Sequence, residues 1–464
     1  MPTNVKENGF ESSIVSWLVQ HNGYEQGSNA DYNKEIAMDE TRLFRFLNTT
    51  QADKMKQLRL ENDPLEKEKF LQRLDQSLHT NGVIDLLRKG FRYKHLVLDM
   101  FYVRPSPGNE TAAKLYAQNI FSVTRQLQYS RQNPLLALDV CLFLNGLPIA
   151  TMELKNQLTK QNAADAVKQY KDERTPDEVL FGFKRCIVHF AVDDNEVRMC
   201  TELKGQKSWF LPFNKGYNDG AGNPPNPDGI KTDYLWKEIL RKDDFSNIIE
   251  NYVQIICDED EETHKKSYKQ IFPRYHQLQL VTSLLADAKR DGVGKRYLIQ
   301  HSAGSGKSNS IAWLAHQLVT LKDATDHNTF DTVIVVTDRV NLDKQIRNTI
   351  RQFMQVSSTV GWAKDSSELG TLLEKGTKII ITIVHKFQFI LEDISKLHTN
   401  RNFAILIDEA HSSQNGDLST KMNIVLSGSE YDNDDLLEDK INTLIDGKKL
   451  AKNASYFAFT ATPK

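Results

Sequence analysis

From Arg296 onward the chain carries five short runs that are apolar almost throughout: RYLIQ, TVIVVTD, KIIITIV, FAILID and YFAFTAT. A strand with one face in water alternates apolar and polar residues, so a continuously apolar run is expected to be covered on both faces. Helical segments such as SNSIAWLAHQLVTLK lie between the runs. Strand–helix alternation of this kind predicts a doubly wound parallel sheet.

The first half has a different texture. Residues 10–100 alternate amphipathic helical patterns with short loops. ESSIVSWLVQHNGY brings Ile14, Trp17 and Leu18 together before a Gly stop, and TRLFRFLNTTQ and KEKFLQRLDQSLHTNGVIDLLRKG follow in the same style. From about 96 to 200 the period moves towards two. HLVLDMFYV, ALDVCLFL, IATMELK and CIVHFAV are expected strands of a central sheet, with a helix at AADAVKQYKDER. Phe213–Ile230 is dense in Gly, Pro, Asn and Asp and is expected to be an irregular loop. DYLWKEILRKDDFSNIIENYVQII is expected to be helical, and CDEDEETHKK to be a solvated acidic link. The expected organisation is a first domain over 1–255, a linker over 256–268 and a second domain over 269–464.

A length of 464 residues suits two or three domains, each with its own core. Lys+Arg number 59 against 61 Asp+Glu, a net charge of −2. This balance argues against bulk, charge-driven nucleic-acid binding and leaves room for a local basic channel. The four cysteines, Cys141, Cys186, Cys200 and Cys257, lack metal-ligand spacing and read as reduced thiols of a cytoplasmic protein. MPTNVKENGFESS has neither a basic leader nor an apolar stretch, and no membrane-spanning run follows, so no membrane partner is expected.

RYLIQHSAGSGKSNSIAWLAHQL sets a Gly-rich turn between a buried strand and a helix. Gly304, Ser305 and Gly306 let backbone N–H groups turn towards an anion, and the helix N-terminus adds its partial positive charge. Lys307 is expected to reach the β- and γ-phosphates of ATP, and Ser308 to bind Mg²⁺. The pattern departs from G-x-x-x-x-G-K-S only at its first position, His301. AILIDEAH then ends a strand with Asp408, Glu409 and His411. Asp408 is expected to hold Mg²⁺ through water, and Glu409 to orient or deprotonate the attacking water.

Together these stretches resemble a DEAH-type motor of the second helicase superfamily over Phe272–Lys464. The resemblance gives Gln277 of FPRYHQ the Hoogsteen edge of adenine, with Arg274 in support. It sets Thr337, Arg339 and Lys386, in VTDRVNLDKQ and TIVHKF, near a nucleic-acid backbone. FAFTATP looks like the coupling motif, with Thr460 and Thr462 linking hydrolysis to strand contacts. Such motors use a second RecA-like lobe that supplies an arginine finger. This sequence ends before one, so a fragment with half an ATP site and slow or no turnover is expected.

LALDVCLFLNGLPIATMELKNQ holds the remaining chemistry. Residues two apart on a strand share a face, so Thr151, Glu153 and Lys155 line up. A two-residue Asn145–Gly146 turn in a regular hairpin would put Asp139 opposite Met152, on the wrong face. A three-residue loop, Leu144–Gly146, would put Asp139 opposite Thr151 and diagonal to Glu153, and this is the prediction. Asp139 and Glu153 would then form a hard-oxygen site for Mg²⁺, completed by waters, substrate phosphate and the Leu154 carbonyl. Lys155 would orient water or steady charge on phosphorus.

The trio resembles the PD-(D/E)xK nuclease core. A D…ExK hairpin ahead of a DEAH motor, with KQYKDER after it, resembles the restriction (R) subunit of type I restriction–modification enzymes; NIFSVTRQ, FLPFNKG and DEAHSSQ look like that family's surroundings. The family carries Q-x-x-x-Y on the helix after the hairpin. Here Gln169 is followed at that distance by Glu173, with Tyr170 beside the Gln, so Gln169 alone is carried over. Glu11 is a further acid that either approaches the metal or sits on the surface. The resemblance implies an α/β protein, a PD-(D/E)xK-type nuclease domain followed by a RecA-like motor lobe. It implies ATP and Mg²⁺ as cofactors, double-stranded DNA as substrate, and methyltransferase and sequence-specificity subunits as partners. A stand-alone or type III-like helicase–nuclease and an inactive ATP-binding fragment are the alternatives.

Overall fold

The computed structural model describes residues 7–105, 108–156, 160–259, 263–302, 304–323, 325–337, 350, 360–363, 366–383, 400–408 and 453–460. They form two compact units, 1–276 and 277–464.

In the first unit seven strands lie side by side in chain order. They are β1 (Glu25–Gln26), β2 (Phe121–Gln128), β3 (Ala137–Leu144), β4 (Leu147–Leu154), β5 (Val188–Val192), β6 (Val197–Cys200) and β7 (Leu211–Pro212). The β1–β2 and β4–β5 pairs are parallel and the other four antiparallel. A parallel pair needs a crossover. Between β4 and β5 this includes helix α2 (Ala163–Glu173), while α1 (Glu7–Gln20) opens the unit. Asn162 and Asp165 cap α2 reciprocally, each side chain bonding the other end's backbone. Its buried residues, Ala163, Ala166, Val167 and Tyr170, recur at helical spacing and turn one face to the sheet. Every residue of β4 is buried.

Two expectations fail here. Of HLVLDMFYV only Leu96–Leu98 is a strand, and it pairs with Phe91–Tyr93 in a separate hairpin. The Gln51 side chain clamps the next residue, donating to the Asp99 carbonyl (2.8 Å) and accepting from its N–H (2.9 Å), which uses the groups a ladder would need. The place in the central sheet goes to β2, FSVTRQLQ. The second failure is the linker. Gln254–Glu259 (β8) and Lys266–Ile271 (β9) pair in an antiparallel hairpin, with Glu259 opposite Lys266. Gln270 fastens it to the first unit by donating to the carbonyls of Cys186 (2.7 Å) and Ile187 (2.8 Å). The helical stretch before it ends at Asn251. Phe213–Ile230 contains neither helix nor strand, only a Tyr217–Gly220 bridge.

The second unit holds a six-stranded, wholly parallel sheet. Its strands are β10 (Arg296–Gln300), β11 (Thr332–Thr337), β12 (Val360–Trp362), β13 (Ile379–Ile383), β14 (Phe403–Ile407) and β15 (Ala454–Thr460), ordered β10-β15-β14-β11-β13-β12. All five expected runs are strands. β11 and β15 are buried throughout. β10 is not: it lies at the sheet edge, buries only Ile299 and leaves Leu298 67% exposed. The strand missed by sequence, β12, is three residues long and forms the other edge. Among the described residues no helix is long and apolar enough to cross a membrane.

Candidate functional site

The hairpin between β3 and β4 closes on a two-residue turn, with Leu144 opposite Leu147, and so differs from the expected three-residue loop. Asn145 (φ 52°) and Gly146 (φ 83°) are both left-handed, as a tight twisted hairpin requires. A side chain at Gly146 would collide with the Asp39 carbonyl. Asn145 is fully buried; it accepts from the Ile120 N–H (2.7 Å) and donates to the Met100 carbonyl (2.9 Å). The face is restored by a β-bulge. Phe143 faces Pro148 but Leu142 faces Ala150, which leaves Ile149 as an extra residue. Pro148 has no N–H to give the ladder, and the Ile149 carbonyl accepts instead from Ile187 (2.9 Å). Below the bulge Val140 faces Met152. Continuing that register puts Asp139 across from Glu153, with both side chains on one face.

Asp139 is half-buried, Glu153 is fully buried and Lys155 is 8% exposed. Asp139 Oδ2 accepts from the Leu154 N–H at 2.8 Å. Burial pushes the Glu153 carboxyl up to about 8, and neighbouring Asp139 adds to the rise against the pull of Arg174 and Lys155. Arg174, which caps α2, donates from Nε to Glu153 Oε1 (2.5 Å), and further to Tyr129 Oη (2.9 Å) and the Ala137 carbonyl (3.0 Å). The second Glu153 oxygen, Oε2, is buried without a hydrogen-bond partner, and so is Gln169 Oε1. Tyr170 does not reach solvent. Its hydroxyl bonds Thr151 Oγ1 (2.8 Å), which bonds His189 Nδ1 (2.7 Å), and burial holds the His189 imidazole down to about 3. Glu11 is buried, not a surface acid; it accepts from Arg125 Nε (2.9 Å) and Gln126 Nε2 (3.1 Å).

Two neighbouring carboxylates, one with an orphaned buried oxygen, form a set that a hard divalent cation would satisfy. Among the described residues no group of three or more His, Cys, Asp and Glu is placed to hold an ion, so water, backbone or substrate oxygens would supply the other ligands.

In the second unit the loop after β10 runs into helix α3 (Lys307–Thr320). Gly304 (φ 72°) and Gly306 (φ 87°) are left-handed, and a side chain at Gly306 would collide with Gln277. Gln277 is buried and its Nε2 donates to the Gly306 carbonyl (2.9 Å), which sets it against the loop. Lys307 Nζ lies 3.0 Å from Asp408 Oδ1, just beyond β14. The expected phosphate-binding cation and Mg²⁺-binding acid therefore meet at the carboxyl ends of two parallel strands, β10 and β14, that flank β15, where open sheets bind ligands. Ser308 is half-buried in the first turn of α3. His301 is 4% exposed; its Nδ1 bonds Ser305 Oγ, its Nε2 bonds Ser310 Oγ (3.0 Å), and its N–H donates to the Thr460 carbonyl (2.7 Å). Thr337 is buried at the end of β11, and Arg274 is half-buried ahead of the Tyr275–Asp291 helix. Glu409, His411, Thr462, Arg339 and Lys386 lie outside the described residues.

Arg174 was missed by sequence, although Ala166, Tyr170 and Arg174 are spaced four apart and share a helix face. Thr151 and His189 gave no signal beyond strand parity.

The chain matches two family models: "Type I restriction enzyme R protein N terminus" over residues 4–208 and "SWI2/SNF2 ATPase" over 276–464. Among curated proteins it is similar to a type I restriction enzyme HindI endonuclease subunit of Haemophilus influenzae, at 26% identity over 65% of this chain and 28% of that protein. It is also similar to the SauMSSORF170P endonuclease subunit of Staphylococcus aureus, at 25% identity over 99% of this chain and 43% of that protein. The chain thus spans less than half the length of these relatives. A solved UvsW helicase of bacteriophage T4 aligns with 48% of this chain and 61% of its own at 13% identity and a TM-score of 0.28. With an R-protein N terminus followed by a SWI2/SNF2 ATPase domain, the chain belongs to the R subunits of type I restriction enzymes.

Proposed function

We propose that this chain carries the Mg²⁺-dependent endonuclease and part of the ATP-driven DNA translocase of a type I restriction enzyme, cutting double-stranded DNA away from the recognition site. One observation carries the nuclease half. Asp139 and Glu153 oppose each other on adjacent strands, with Lys155 next in line and Glu153 Oε2 buried without a partner.

Asp139 and Glu153 would hold the ion, which when bound polarises the scissile phosphate and acidifies attacking water. Arg174 occupies Glu153 Oε1 and leaves Oε2 as the free donor. Lys155 supplies an ammonium to orient the nucleophile or steady charge on the phosphate. Gln169 contributes its unpartnered amide oxygen from α2. In the motor, Lys307 engages the β- and γ-phosphates, Gln277 and Arg274 the adenine, and Ser308 and Asp408 the Mg²⁺. Glu409 orients water and His411 joins it at the nucleotide; Thr460 and Thr462 couple hydrolysis to DNA, on which Thr337, Arg339 and Lys386 track the backbone. A second lobe would supply the arginine finger. Methyltransferase and specificity subunits would supply sequence recognition, since phosphate contacts alone carry none.

The test is metal-dependent nicking of duplex DNA by the chain. Nicking that needs Mg²⁺ or Mn²⁺ and disappears in Asp139→Ala supports the reading. Equal nicking by the wild type and Asp139→Ala overturns it.

A further inference from the structure

Gln126 is the only residue inside a described strand with left-handed backbone, at φ 46°. An L side chain adopts that region at a cost, and such strain persists only where the surroundings impose it. Here they do so without shifting the register, and only the Gln126–Asp139 pair drops out of the ladder. Arg125 faces Val140 and Leu127 faces Leu138, so β2 and β3 keep one register through the kink and Gln126 falls opposite Asp139. Asn29 bridges the distorted peptide from outside, donating to the Gln126 carbonyl (3.0 Å) and accepting from the Gln128 N–H (2.8 Å). Gln126 is exposed, so no gain in core packing accounts for the strain.

The kink delivers one side-chain amide to two acids. Gln126 Nε2 donates to Glu11 Oε2 (3.1 Å) and to Asp139 Oδ1 (3.2 Å). Glu11 is itself anchored by Arg125 Nε (2.9 Å). Since Asp139 Oδ2 takes the Leu154 N–H (2.8 Å), both oxygens of that carboxylate are held by donors on different strands. A carboxylate gripped at both oxygens keeps one rotamer, and a metal site depends on such outer partners to orient its ligands.

We propose that Gln126, strung between Glu11 and Asp139 at a strained point of β2, is a positioning residue that fixes the Asp139 carboxylate for divalent-ion binding. This rests on the nuclease reading above. Two variants separate its parts. Gln126→Gly relieves the backbone and removes the amide; Gln126→Met keeps the strain and length and removes only the donor. Mn²⁺ binding to the intact chain, followed by calorimetry without DNA, and the Mn²⁺ concentration giving half-maximal nicking are the readouts. Thermal unfolding checks the fold. Both variants should bind the Asp139-dependent Mn²⁺ about tenfold more weakly, while Gln126→Gly unfolds no earlier than the wild type. Wild-type Mn²⁺ affinity in both, with loss of binding in Asp139→Ala, overturns this inference and leaves the nuclease reading standing. Binding by the wild type no better than by Asp139→Ala removes both together.

Discussion

The two candidate sites are assembled in opposite ways. The loop of the second unit is one contiguous stretch, His301 to Ser308, whose geometry comes from two left-handed glycines and a helix start. The cluster of the first unit draws Glu11, Gln126, Asp139, Glu153 and Arg174 from five separated segments. A site made of consecutive backbone groups is encoded by spacing. A site made of side chains from paired strands is encoded by register, and one extra residue decides register. That contrast predicts where each site should be fragile.

The largest effects test whether the two are separate machines. Lys307→Ala should lower ATP hydrolysis by at least about 100-fold, the scale of removing one charge-stabilising donor. In the assembled enzyme it should abolish restriction as well. Asp139→Ala and Lys155→Ala should abolish cutting to a similar extent while ATP hydrolysis survives. Phosphate release and gel-resolved DNA products measure both. Loss of ATPase activity in the Asp139 and Lys155 variants would break the comparison, because the hairpin would then serve the motor.

The same contrast accounts for what could be read from sequence. All five apolar runs became strands of the parallel sheet, and Lys307 and Asp408 met as their motifs implied. Asp139 and Glu153 did come to one face, but by another route: a two-residue turn plus a bulge at Ile149 in place of a three-residue loop. Pro148 was the visible hint, since a proline inside a paired strand calls for an edge or an irregularity. Nothing in FSVTRQLQ signals that Gln126 turns left-handed, because the cause, Asn29, lies 97 residues away in sequence. HLVLDMFYV failed for a like reason, with Gln51 48 residues away intercepting its backbone at Asp99. Contacts of that separation leave no local pattern.

Burial of the first cluster also predicts a pH signature. The folded state raises the Glu153 carboxyl from 4.5 to about 8, so the folded chain holds a proton that the unfolded chain releases. Its contribution to stability is full below pH 4.5 and is lost as pH rises to about 8. His189 acts the other way. Lowered from 6.5 to about 3, its contribution is full above pH 6.5 and is lost as pH falls towards 3. The two slopes oppose each other in mild acid. Between 6.5 and 8 only the Glu153 slope remains, at most about 1.4 kcal/mol per pH unit. Denaturant unfolding should show stability falling across that window in the wild type and flat in Glu153→Gln. Arg174→Met should carry the decline to higher pH, since it removes the nearest cation. A flat wild-type profile would mean that Glu153 is ionised throughout.

The smallest expected effect bears on whether the loop is as local as its motif suggests. Glycine is the usual residue at the position of His301, so on a purely local view His301→Gly should be silent or helpful. The structure gives the imidazole two partners, Ser305 in the loop and Ser310 in α3, and ties its N–H to Thr460 at the end of β15. Glycine keeps the backbone bond and loses both side-chain bonds. At a net worth of about 0.7 kcal/mol each, their loss should weaken ATP binding roughly tenfold, seen as a raised KM with a smaller change in kcat. His301→Asn, which can bond one serine at most, should fall between. If His301→Gly leaves KM unchanged, the loop is fully specified by its glycines and the helix start. If KM rises, the second site also borrows from outside its motif, and the difference between the two sites is one of degree.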